Sequence, residues 1–344
     1  MNSKVIVGGL IVILLGALWV IQPSKNSQTS STDEQTSEST QDTQSLPRNP
    51  LEAGSTSEGT TEIQDDFKPA SQKYNNAAQA LEAVRKAAVD YDDILIDEFS
   101  NLKECDWCEE FYGELSKMLN DQALGIDERA YYAEIMAVSG NLENIKTLVS
   151  SLESATQTED KEMFGEALEM AMGGDDMVDY LAAYLTSENS TLRESVVSAL
   201  SNQGTRLAAE TLYNDLINGG GATHDYYAQG TGIAEMVPDE TTIPYLHDLL
   251  IQRAPKSDAV VKALINSGID GLTAVFDALS TEKDNAKGKE YLKNAIDHVI
   301  TDEQVVDFLT KASQNQSYPE FLKEFASDAL KEAQTDDLEE EEEN

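Results

Sequence analysis

Little in this chain has the makings of an active centre. Two cysteines, three histidines and two tryptophans occur in 344 residues. Two cysteines allow one disulfide and make only half of a usual zinc set. His224, His247 and His298 share no ligand spacing, so each reads as an ordinary surface or packing residue. There is no Ser-His-Asp order, phosphate-binding glycine loop or zinc-protease signature, which leaves no catalytic residue, no cofactor and no small-molecule substrate to name.

Positive charge is scarce as well: 24 Lys and Arg stand against 64 Asp and Glu, a formal charge of −40. Between Tyr74 and Thr335 the count is 48 acids to 19 bases, a balance of −29. Such a surface repels nucleic acid and anionic lipid headgroups, and it attracts a basic protein or cations. Nucleic acid is therefore excluded as a partner. The acidic stretches Asp90 to Glu98, Glu159 to Glu162 and Asp336 to Glu343 lack the ligand spacing of a calcium loop. A solvated outer face is the plain account of the charge, and a basic protein partner is the specific one.

Long apolar runs are missing except at the start. Val5 to Ile21 carries no charge, and seventeen residues at 1.5 Å each cover roughly 26 Å, enough for a thin hydrocarbon core. Leu18, Trp19, Val20 and Ile21 after Ala17 make a poor signal-peptide cleavage site, so residues 1–21 are expected to be an uncleaved signal-anchor in the membrane. Lys4 and the amino terminus ahead of the span place the N-terminus in the cytoplasm, and the rest outside it, in the periplasm if the source is bacterial. Residues 22–73 are rich in Ser, Thr, Gln, Glu and Asp with four prolines and read as a disordered linker. Residues 335–344, with five consecutive glutamates, read as a disordered acidic tail.

What is present in quantity is one repeated pattern. Apolar pairs four apart occur as Leu115/Leu119, Leu148/Leu152, Leu181/Leu185, Leu212/Leu216, Leu246/Leu250, Val275/Leu279 and Phe308/Ala312, at steps of 33, 33, 31, 34, 29 and 33 residues. That spacing is a helix face, since a strand would alternate. Eleven to thirteen residues before each pair stands another apolar anchor: Leu102, Ile135, Leu168, Leu200, Ile233, Leu264 and Ile296. Between anchor and pair lie stop-and-start residues such as Ser139 to Asn141, Gly173 to Asp176, Asn202 to Thr205, Pro238-Asp239 and Ser267 to Asp270. Glycine ends one helix and Asn, Asp or Thr caps the next, with Thr301 and Gln304 fitting a capping box. About seven helix pairs are expected over residues 74–334, an all-α α-α superhelix or solenoid. Ala77, Ala78, Leu81, Val84 and Ala88, running on to Ile94, Ile96 and Phe99, cap its front. Tyr318, Phe321, Leu322, Phe325 and Leu330, with Pro319 near a helix start, cap its end.

One copy, Ser190 to Thr205 followed by Leu207 to Leu216, has Arg193 near the start of a first helix. Val and Ala face the partner helix, a glycine makes the turn, and a second helix ends in Leu. It resembles HEAT-like repeats, particularly the short, phycobilisome-lyase-type kind, over about Asp93 to Gln334. The resemblance implies stacked helix pairs that bind other proteins along the inner row of second helices. Tetratricopeptide repeats have a similar period and stay a rival, although their Trp-Leu-Gly-Tyr signature and closing proline are missing here.

Cys105-Asp-Trp-Cys108 is the single chemical motif. Cys105 falls in an inter-helix turn and Cys108 in the first turn of the helix carrying Leu115, where a helix N-terminus stabilises a thiolate. Glu104, Asp106, Glu109 and Glu110 act the other way, and no βαβ pattern surrounds the motif. A structural disulfide is the expectation, with a redox couple and a metal site as alternatives; Glu109 stands where haem attachment needs histidine. His224, Tyr226 and Tyr227, after the loop Gly219 to Gly221, form a possible contact patch. The sequence thus points to a tethered protein-binding scaffold, against a thiol-disulfide enzyme or a purely structural envelope spacer.

Overall fold

The computed structural model describes residues 68–218, 232–300 and 302–342, with side chains to residue 333. The expected anchor Val5–Ile21, the linker to residue 67 and the patch of His224, Tyr226 and Tyr227 lie outside the described residues. Among the described residues every regular element is helical, with no strand.

The chain opens with α1 (Ala70–Lys73), α2 (Ala77–Asp90), α3 (Asp93–Glu98) and α4 (Cys108–Leu119). Helix pairs follow as α5 (Ile126–Val138) with α6 (Leu142–Ser154), α7 (Thr158–Glu169) with α8 (Asp175–Ala182), and α9 (Ser190–Gln203) with α10 (Arg206–Asn218). A 3-10 turn, Gly232–Glu235, precedes α11 (Ile243–Ile251); α12 (Ser257–Ile265) pairs with α13 (Ile269–Leu279). Then come α14 (Asn285–Tyr291), a second 3-10 turn at Ile296–His298, α15 (Glu303–Gln314) and the closing α16 (Glu320–Glu342).

The packing sorts these elements into two rows. In the first, α5 packs on α7, α7 on α9, α9 on the 232–235 turn, that turn on α12, and α12 on α14. In the second, α4 packs on α6, α6 on α8, α8 on α10, α11 on α13, and α13 on α15. Each unit leans mainly on its neighbours, which is the architecture of an α-helical solenoid. The periodic residues supply the core between the rows: every member of the seven apolar pairs is buried except Phe308, which is half-buried. Burying each leucine is worth roughly 1.5–3 kcal/mol, so the repeat is also the stabilising element.

Not every expected helix forms. Leu102 is buried but sits in the coil after α3, and Ile233 and Ile296 sit on 3-10 turns. The front segment breaks at Tyr91, whose φ is 53°, so its core face is Ala77, Ala80, Leu81, Val84, Ala87 and Ala88, while Ala78 and Ile94 point to solvent. Helical order starts before Tyr74: Ala70 is fully buried and Lys73 pairs with Glu98 at 2.6 Å, contacts that composition alone does not reveal. At the other end the backbone stays helical to Glu342, through residues read as a disordered tail. Glutamate and leucine are strong helix formers, and a helix already packed through Phe321, Leu322, Phe325 and Ala329 extends at one hydrogen bond per residue.

The turns carry a second periodic device. Asn141 caps α6 by accepting from the Glu143 amide and also donates to Lys103 O, one unit back, at 3.0 Å. Asn202 donates to Glu169 O, and Gln203 to Ala171 O. Asn266 donates to Ala234 O at 2.9 Å and Met236 O at 3.1 Å, and its own Oδ1 meets His298 Nδ1 at 3.0 Å. These side chains satisfy turn carbonyls that no helix serves. Some caps follow expectation and some do not. Gly204 closes α9 with φ 62°, and Thr205 accepts from Ala208 N. No side chain caps α8 or α13. The cap of α15 is Asp302, accepting from Val305 N at 2.7 Å; Thr301 of the expected box lies outside the described residues.

A groove beside the cysteine pair

The motif Cys105 to Cys108 begins α4 and is anchored through the tryptophan between its cysteines. Trp107 is buried and meets Phe111 edge-on at 5.5 Å, and Phe111 stacks on Phe99 at 5.0 Å. Tyr112 donates its hydroxyl to Leu102 O at 2.6 Å, and burial pushes its phenol above the usual range. With the turn so fixed, Cys108 N donates to Cys105 O at 3.1 Å and the two sulfurs lie 2.18 Å apart, within bonding distance. Cys105 is half-buried, and Cys108 is 4% exposed. No third sulfur, imidazole or carboxylate completes a metal site: no group of three or more His, Cys, Asp or Glu with that geometry occurs among the described residues.

Directly above this pair, between the second helices α4 and α6, lies a groove of about 810 Å³. Its floor is the cysteine pair, the Tyr112 ring, Gly113 and Met136, with Asn144 reaching in from α6. Asn144 is 4% exposed; its Nδ2 donates to Ser139 Oγ at 2.9 Å and its Oδ1 accepts no hydrogen bond among the described residues. A second hollow of about 410 Å³ shares Gly113 with the groove and is bounded by Asp106, Glu109, Glu110, Glu114 and Lys117. A third, also about 410 Å³, continues from Glu143 and Thr147 towards Asn120 and Ser154. The first hollow shares Glu109, Gly113 and Lys117 with the second, on α4, and Glu143 and Thr147 with the third, along α6.

Gly113 has no local justification. It sits inside a helix, where glycine costs about 1 kcal/mol relative to alanine, and a Cβ placed on it would meet nothing within 4 Å. Gly113 is exposed and lines both of the first two hollows.

The other candidates do not assemble. His247 Nε2 lies 3.1 Å from Asp277 Oδ2 between α11 and α13, and His298 serves the turn network. Three features went unread in sequence: the groove, the role of Gly113, and Arg129. Arg129 is the fourth residue of α5, as Arg193 is of α9. That matched position was the available signal. Arg193 donates to Ser187 O at 2.7 Å, whereas Arg129 makes a buried ion pair with Asp160 of α7. No helix among the described residues is long and apolar enough to cross a membrane. No family model matches the chain, and no curated protein sequence matches it.

Proposed function

We propose that the protein is a membrane-tethered, non-catalytic scaffold: a HEAT-like helical-repeat domain that binds partner proteins on its row of second helices. The observation that carries the reading is the groove of about 810 Å³ between α4 and α6, on that row, with two smaller hollows that share lining residues with it. The stacked helix pairs, the recurring Arg129 and Arg193 near first-helix starts, and the turn-to-turn hydrogen bonds support the repeat assignment. Residues 1–21 serve as the anchor and the polar stretch after them as a flexible tether, which raises the local concentration of domain and partner at the membrane. The cytoplasmic N-terminus and exported domain follow from the weak positive charge ahead of the span. Cys105 and Cys108 act as a structural disulfide; a buried Cys108 and a buried Trp107 favour that role over thiol exchange.

The test is crosslinking of the full chain in its own membranes, followed by pull-down and comparison with a control that carries only residues 1–73. Specific enrichment supports the scaffold. An identical set of proteins in both samples leaves a spacer with no partner and overturns the reading.

A further inference from the structure

We propose that the groove between α4 and α6 receives an extended segment of a partner protein in which apolar residues alternate with lysine or arginine, one apolar side chain seating over Gly113. The inference rests on the protein-binding reading above and assigns its site and the chemistry of its partner.

Four observations converge on that occupant. Gly113 leaves a gap in the exposed helix face, with no atom of the described residues within 4 Å of where a Cβ would stand, although alanine would suit the helix better. Around the gap the floor is apolar: the cysteine pair, Met136, and a Tyr112 ring whose hydroxyl is already committed to Leu102 O. At the wall stands the buried Asn144, whose free Oδ1 suits a backbone N–H of an extended chain. Glu104 and Glu109 line the groove, Asp106 and Glu110 the hollow that shares Gly113 with it, and none of the four forms an ion pair among the described residues, while Lys117 is taken by Glu114 and Lys146 by Glu143. Lys103 is the one rim lysine without an acid partner among the described residues. An acidic segment is repelled there and a basic one is drawn in. The dimensions agree: α4 has 12 residues, so it is about 18 Å long, close to the roughly 17 Å of five extended residues. With side chains alternating across such a strand, apolar ones face the floor and basic ones face the rim.

The experiment titrates the full chain in zwitterionic nanodiscs with a fluorescein-labelled Lys-Leu-Lys-Leu-Lys peptide, read by anisotropy against empty nanodiscs. Lys-Ser-Lys-Ser-Lys and Glu-Leu-Glu-Leu-Glu peptides run alongside. The expected result is that the Lys-Leu peptide binds at least about tenfold more tightly than either, and that Gly113→Trp weakens it by about tenfold or more with helicity unchanged. Equal binding of the serine peptide overturns the proposal, because the surface is then merely acidic. Unchanged binding to Gly113→Trp overturns it too. Asp106→Lys with Glu109→Lys gives a second variant outside the packed core, expected to lose the Lys-Leu peptide; retention counts against the groove. Repeating the in-membrane pull-down with Gly113→Trp separates the two readings. Partners retained by that variant sink the groove and leave the scaffold standing, whereas no partners for the unmodified chain sink the scaffold itself.

Discussion

Replacing Asp160 by alanine is expected to be among the most damaging single changes in the domain, although Asp160 does not line the groove between α4 and α6. Arg129 is 3% exposed and Asp160 7%, so both charges are out of water. The guanidinium donates through Nη1 to Asp160 Oδ1 and through Nε to Leu119 O, each at 2.8 Å, and lies 5.9 Å from the Phe164 ring. Its Nη2 is buried with no hydrogen-bond partner among the described residues. Gln122 Nε2 holds the second carboxylate oxygen at 3.1 Å. The pair ties the end of α4 to α5 and α7, three successive units. Removing the carboxylate strands a buried cation whose remaining hydrogen-bond acceptor is one carbonyl, and breaking such a pair costs about 3–5 kcal/mol. Replacing both, as Arg129→Met with Asp160→Leu, trades desolvated charge for apolar packing and is expected to be far milder than either single change. Urea unfolding of the parent, Arg129→Met, Asp160→Leu and the double variant forms a double-mutant cycle, with Asp160→Ala measured beside it. Hydrogen exchange on α4 to α7 shows whether the loss is local, as expected of a one-dimensional array. Single variants within about 1 kcal/mol of the parent would show the pair to be solvent-screened and the reasoning wrong.

The remaining expectations concern single positions. Gly113→Ala adds a methyl group to open space on a regular helix and is expected to stabilise by about 0.5–1 kcal/mol in thermal or urea melts; a loss of stability would mean that the glycine serves packing after all. Gly204→Ala is expected to destabilise by more than about 1 kcal/mol, because the residue holds φ 62° and its Cβ would lie 2.4 Å from Val237 O; an unchanged midpoint refutes this. Asn266→Ala leaves Ala234 O and Met236 O without their donor, an expected loss of about 1–3 kcal/mol, with faster amide exchange around α12 as the local signature. For His298, burial lowers the imidazole pKa, with Glu235 opposing and Lys262 adding to the effect. Between that lowered value and about 6.5 the unfolded chain holds more proton than the folded one, so His298's contribution to stability falls as pH drops through this window. His298→Gln should remove that part of the slope, and identical slopes for the two proteins would contradict it.

The repeat was legible because burial writes itself into sequence at helical spacing: Leu148, Leu181 and Leu212 sit one unit apart and all reach the core. The same signal misassigned the helical state at Leu102, Ile233 and Ile296. An apolar residue can be buried from a coil or a 3-10 turn as well as from a helix, and periodicity reports only the burial. Capping depends on a single residue of register: Asp302 caps α15 because it stands directly before the first helical turn, a position that consecutive Thr, Asp and Glu at the start of a helix leave open in the sequence. Asn141, Asn202 and Asn266 looked like local stop-and-start residues, and their bonds to the preceding unit depend on how the pairs stack. Cys105 and Cys108 were legible as a pair, but not the groove above them. A cavity is made by what is missing from several elements at once, and its one trace in the chain is a glycine within a helix.

The turn network also bears on how such a chain can change length. Each of these side chains reaches back one unit and no further, from Asn141 to Lys103, from Gln203 to Ala171 and from Asn266 to Ala234. A whole unit can therefore be duplicated or deleted between two turns with every surviving bond finding an equivalent carbonyl, provided the new turn keeps its amide. A partial unit cannot, because it puts a helix face where the next asparagine needs a turn. The array is built to grow in steps of about thirty residues, and the fixed stride of the turns keeps those steps whole.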